Sequence, residues 1–158
     1  MKRLVTGLLL STAVLFAGDF NDGLKSLDMG NDEQAHAQFF KLAKSGDLDA
    51  QTMLGEMYLD GIGVKQNNKQ AFYWIYKAAS SGDKQAEYLL GFMYENGIEV
   101  EENLAHAVKW YEKAANGGDV MAMYNLAFIY KDGKGVEKNM QRAASLFSKV
   151  EKLKTLNI

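Results

Sequence analysis

The chain has no cysteine and no proline. Without cysteine it cannot be a disulfide scaffold, lipid attachment through a cysteine is excluded, and no zinc centre can draw on thiolates. Without proline, its 15 glycines must supply nearly all of the chain's punctuation. Charge of one sign is also scarce: the formal net charge is −2 and no block of lysine and arginine occurs. That balance argues against a nucleic-acid partner. Long apolar runs are missing as well. The most extended one, Leu4 to Phe16, follows Met1-Lys2-Arg3 and precedes Ala17-Gly18.

A bilayer-spanning helix needs about 20 apolar residues, so this run is too short to serve as one. Basic start, apolar stretch and small residue in that order read as a secretory signal peptide over residues 1–17. The bulky Leu15 at the third position before the cut departs from the usual small residue. The competing reading is a buried N-terminal helix. The expectation is an exported protein, periplasmic or secreted, with no stable membrane insertion after cleavage, since nothing amphipathic or basic supports lipid binding. An exported chain without cysteine must be held by packing alone.

What is present is repetition. "MLGEMYLDGIGVKQNNKQA" from Met53 returns 36 residues on as "LLGFMYENGIEVEENLAHA", and again as "NLAFIYKDGKGVEKNMQRA". Asp47, Asp83 and Asp119 share a column, each after a glycine, as do Leu54, Leu90 and Leu126, and Tyr58, Tyr94 and Tyr130. Asn67, Asn103 and Asn139 form another. Each unit decodes as two helices. The aspartate caps the first, and Ala50, Leu54 and Tyr58 lie on one of its faces. A glycine turn reverses the chain, Asn67 caps the second helix with Gln70 completing a capping box, and Ala71, Trp74, Ile75 and Ala78 are buried.

Asn31 and Ala35 extend the period backward, so residues 18–46 hold a degenerate unit with helices near Phe20 to Met29 and Asn31 to Lys44. Full units follow at 47–82, 83–118 and 119–152, the last with a more polar helix suited to capping the stack and a tail running to 158. The expected fold is all-α, a right-handed α-α superhelix of about four helix-turn-helix repeats, monomeric, whose pairs bury their faces only by stacking.

At the level of residues, "AEYLLGFMYENGIEVEENLAHAVKWYEKAANGGD" resembles the Sel-1-like repeat, a relative of the tetratricopeptide repeat. The shared pattern A…LG.MY..G.GV..N…A..W..KAA..GD covers about Asp47 to Lys152. Departures are Glu99 for the second turn glycine, Ala127 for a glycine and Leu146 for tryptophan. The resemblance implies a scaffold that binds a protein or peptide, as exported bacterial members do at the envelope or on a host. By resemblance to tetratricopeptide proteins, the second face of each first helix lines the concave groove. The groove residues are then Thr52, Glu56, Tyr88, Phe92, Glu95, Tyr124, Phe128 and Lys131. The aromatics among them are either core or a ligand platform with a polar rim.

A hydrolase is the alternative, because a cysteine-rich branch of the family carries a β-lactam-binding or β-lactamase attribution. Ser81-Gly82-Asp83-Lys84 has the S-x-x-K spacing in which lysine activates serine. Its equivalents read "SGDL" and "GGDV", so the lysine is one variant of a surface turn and the companion motifs are missing. Glu101-Glu102 reads as solvated charge. His36 and His106 fall in different columns, His36 capping or decorating a solvated helix face, so no catalytic, metal or cofactor site is expected.

Overall fold

The structure, a computed structural model, describes residues 19–156; the signal peptide assigned to residues 1–17 lies outside them. Among the described residues there are eight helices and no strand. They are α1 (Phe20–Asp28), α2 (Asp32–Ser45), α3 (Leu48–Asp60), α4 (Asn68–Ser80), α5 (Lys84–Asn96), α6 (Leu104–Asn116), α7 (Val120–Asp132) and α8 (Met140–Thr155). Extensive contacts join consecutive helices only, from α1·α2 through to α7·α8. Contact that stays this local is the property of a solenoid, and the all-α superhelix of stacked pairs is the class expected.

The caps explain why the helices start where they do. Asp47, Asp83 and Asp119 accept from the backbone N–H groups of Ala50, Ala86 and Ala122 at 2.8, 2.7 and 2.7 Å. Each satisfies a donor that the first turn leaves without an intrahelical partner. Asn67, Asn103 and Asn139 accept in the same way from Gln70, His106 and Arg142. The reciprocal half of the capping box expected from Gln70 is not made. The Asn67 N–H instead donates to Tyr58 O at 2.9 Å, across the corner, and Asn103 and Asn139 repeat this to Tyr94 and Tyr130 at 2.8 Å each. The backbone already satisfies that donor, so the side chain has nothing to add. Asn31 departs further, with no side-chain cap at all.

Small residues decide how closely helices approach. A Cβ built on Gly55 would stand 2.4 Å from Ile75 Cγ1, and one on Gly91 would stand 2.6 Å from Tyr111 Cδ1. These glycines are therefore sockets, and Ile75 and Tyr111 fill them at 0% exposure. In the third unit Ala127 fills its own socket. Phe147, in the Ile75 and Tyr111 column, is then half-buried and lies against Tyr124 and Phe128, with ring centroids 5.9 and 5.2 Å away.

The core forms three stacked clusters rather than one globular centre. Leu54, Leu90 and Leu126 head them, at 0%, 0% and 2% exposure. His36 does not decorate a solvated face. It is wedged edge-on against Tyr58 at 5.2 Å and beside Phe40, with Nε2 buried and unpartnered.

Candidate functional site

The odd-numbered helices form one row and the even-numbered helices the other. The predicted groove residues all lie on the odd row, and the structure sorts them into three groups. The largest lines a cavity of about 300 Å³ between α5 and α7: Tyr88, Phe92, Glu95 and Phe128, joined by Asn125 and Asp132. Its floor is built from below. Tyr111 is fully buried and donates its hydroxyl to Glu95 Oε2 at 2.6 Å, while its ring lies 5.7 Å from that of Tyr88. Burial pushes the Tyr111 hydroxyl far above the usual tyrosine range, and the bond to Glu95 adds to this. The hydroxyl therefore stays protonated as the donor to Glu95, which lines the cavity. Burial also raises Tyr88, with the Asp119 carboxylate contributing and a hydrogen bond to Asn125 opposing.

A second cavity, of about 240 Å³, is lined by Thr52, Glu56, Gln85, Asp49, Met53 and Phe20. Thr52 is the buried member of this lining. Its side chain is 3% exposed, and its hydroxyl donates to Asp83 Oδ1 at 2.9 Å. Asp83 is the N-cap of α5, so Thr52 ties one unit to the cap of the next and spends its one donor there. Glu56 stays at the surface of this cavity and accepts from Gln85 Nε2 at 2.9 Å. Burial raises its carboxyl above the ordinary range despite that bond.

Tyr124 and Lys131 lie on the rim of the third unit rather than in either cavity. Tyr124 and Phe128 meet edge to face at 4.9 Å, and Phe147 closes a three-ring cluster. Lys131 Nζ stands 5.5 Å above the Phe128 ring. Tyr124 and Phe128 nevertheless remain 41% and 37% exposed, and Phe92 38%. Tyr124 and Phe128 thus combine ring contacts inside the chain with partial exposure. Phe147 and Asn125 escaped the sequence reading. Phe147 was hidden because its column is core in every other unit, and only the change to Ala127 signals that it is displaced.

The hydrolase motif does not assemble. Ser81 is the C-cap of α4, and its hydroxyl donates to Lys77 O at 3.2 Å. No hydrogen bond links it to Lys84. Among the described residues no group of three or more His, Cys, Asp or Glu is placed to hold a metal ion, and no helix is long and apolar enough to cross a membrane.

Comparison with known proteins follows the same units. Residues 48–83, 84–119 and 120–149 match the Sel1 repeat. A Sel1 repeat protein from Oxalobacter formigenes is similar over 84% of this chain and 53% of its own, with 29% identity and a TM-score of 0.78. A protective antigen of uropathogenic Escherichia coli strains, displaying an SLR fold, is 30% identical with a TM-score of 0.76, over 85% of this chain and 31% of that one. Cysteine rich protein B of Helicobacter pylori is 26% identical with a TM-score of 0.58, over 86% and 91%. The chain thus spans only part of the first two structures. No curated protein matches it.

Proposed function

The chain belongs to the Sel1 repeat family, and from that premise we propose that it is an exported, monomeric interaction scaffold whose odd-helix groove holds a segment of another protein. The observation that carries this reading is the partly exposed row of Phe92, Tyr124 and Phe128 at the cavity that Glu95 helps to line. Each of these rings is only partly exposed, and charged Lys131, Lys134 and Asp132 lie nearby in α7 and the turn after it. Aromatic anchors with a polar rim are the composition of an interaction hot spot. Export rests on the N-terminal segment, and periplasmic or secreted residence follows from it. The one serine–lysine motif is spent on a helix end, where Ser81 donates to Lys77 O.

The test replaces both Tyr124 and Phe128 with alanine. Far-ultraviolet circular dichroism is expected to stay helical, and capture of a protein from an envelope extract is expected to fall at least tenfold. A folded double variant that captures the same protein equally well would remove the groove from consideration. Cell fractionation tests export separately: protein found only in the cytoplasm would overturn it.

A further inference from the structure

A cavity of about 710 Å³ lies away from the predicted groove residues. It lies on the even row, between α4 and the corner that joins α5 to α6. Phe72, Tyr73 and Tyr76 line its α4 side, Lys69 and Lys77 stand on the same helix face, and Glu99 and Val100 form the facing wall. The lining is mostly apolar.

The repeat supplies an internal control for what the architecture needs here. At the columns of Tyr73 and Tyr76, α6 carries Lys109 and Glu112, and α8 carries Ser145 and Ser148. Only α2, with Ala37 and Phe40, is partly apolar there. Packing therefore does not require tyrosines at these positions, and they remain 54% and 47% exposed. Their neighbours hold them in place. Phe72 and Tyr76 stack at 5.9 Å, Tyr76 meets the edge of Trp110 at 6.4 Å, and Tyr73 meets that of Trp74 at 5.0 Å.

The facing wall departs from the repeat as well. Gly63 and Gly135 hold the corresponding corner position in the other units, at φ of 65° and 67°. There the corner presses onto the even helix before it. A Cβ on Gly63 would stand 2.1 Å from Asp32 O, and one on Gly135 would stand 2.4 Å from Leu104 Cβ. Glu99 takes the same left-handed conformation, φ 62°, and is the one non-glycine residue described that does so. Its Cβ occupies the space that glycine leaves for close approach, so this corner stands off from α4. A strained residue at a cavity wall is where backbone strain most often serves a site.

Three departures from the repeat, Tyr73, Tyr76 and Glu99, thus converge on one cavity. We propose that it is a binding site for a soluble small molecule with an aromatic or otherwise apolar body and one anionic group. The volume suits a ligand of that size, and apolar walls with few polar groups are the usual composition of such sites. Aromatic faces take the body. Lys69 and Lys77 are two turns apart, and among the described residues neither is in an ion pair. They offer the positive field that selects an anion. Glu99 is unpaired too. Its bulk holds the corner open, and its charge disfavours a second anionic group.

The probe is 8-anilinonaphthalene-1-sulfonate, with uncharged N-phenyl-1-naphthylamine as its neutral counterpart, titrated by fluorescence against the protein. Saturable one-to-one binding of the anion is expected, at least fivefold tighter than the neutral dye. Tyr73→Lys with Tyr76→Glu, the residues α6 carries at these columns, is expected to weaken it at least tenfold without lowering the melting temperature. Glu99→Gly is expected to do the same by closing the corner. Glu99→Gln keeps the bulk and is expected to bind two- to threefold tighter. Equal affinity for the two dyes would overturn the anion assignment. Binding that survives the tyrosine pair or Glu99→Gly would overturn the site. Cosedimentation with phosphatidylglycerol vesicles that the tyrosine pair abolishes would replace the small molecule by a membrane surface.

Discussion

The corner after α3 and the corner after α5 follow the same path with different residues. Gly63 and Glu99 hold φ of 65° and 62°, and each corner closes with the same hydrogen bond from asparagine N–H to tyrosine O. What differs is the neighbour. At Gly63 the backbone of α2 leaves no room for a Cβ, whereas at Glu99 the corner stands away from α4 and a cavity of about 710 Å³ lies between them. One repeat therefore carries two separable instructions at this position: a left-handed turn, which a glutamate can adopt under strain, and a close approach, which it cannot satisfy.

Moving the second unit's residue into the first breaks the comparison most severely. Gly63→Glu adds left-handed strain and a collision with Asp32 O, a backbone atom that cannot swing aside. A loss of about 3–5 kcal/mol is expected from the two together, read as a lower urea midpoint. A variant as stable as the parent would mean that the corners are not held by close approach.

Gly91→Ala comes next. Its Cβ would stand 2.6 Å from Tyr111 Cδ1 and 2.8 Å from Cε1, and the ring is fully buried. The third unit shows the alternative, because Ala127 is accommodated there with Phe147 displaced to the groove side. Tyr111 has less freedom to follow, since its hydroxyl is bonded to Glu95. A loss of about 2 kcal/mol is expected. Glu95 should lose its fixed position, so groove binding should weaken beyond what the stability change explains. Unchanged partner affinity in the folded variant would show that the Tyr111 bond does not organise the groove.

Glu99→Gly makes the reverse exchange at the corner and runs in the opposite direction. Relief of left-handed strain is expected to raise stability by about 1 kcal/mol. A gain in stability alongside a loss of dye binding would separate the corner's structural role from its role at the cavity. A loss of stability would mean that the glutamate side chain contributes contacts that outweigh its strain.

These contrasts also mark what the sequence made legible. Columns repeated every 36 residues disclosed the helices, their caps and the buried Leu54, Ile75 and Ala78, because local chemistry determines each of them. Contacts between units were harder to read. Thr52 sat on the groove face by helical spacing, yet its hydroxyl reaches Asp83, 31 residues away. Phe147 sat in a core column, yet a methyl group on Ala127 accompanies its shift outward. Glu99 was visible as a departure from the pattern. That it opens a cavity depends on how closely glycine corners press onto the preceding helix, which no single unit reveals.

The smallest effect is a pH dependence that separates the first unit from the second. His36 and Phe72 share a column, and they pack against Tyr58 and Tyr94. Burial holds the His36 imidazole below its ordinary value of 6.5, with no carboxylate contributing to the shift. The folded state therefore resists the proton that the unfolded chain accepts, and stability falls as pH drops through 6.5 toward the folded value. Above that range the contribution is constant. Glu56 and Glu87, raised above 4.5 by burial, act in the opposite direction and nearer to their own range. A urea midpoint that falls between pH 7.5 and 5.5 in the parent should fall less in His36→Phe, which places the second unit's residue in the first. An identical fall in both proteins would assign the acid sensitivity to other groups and leave the His36 wedge, uncharged throughout, without a part in it.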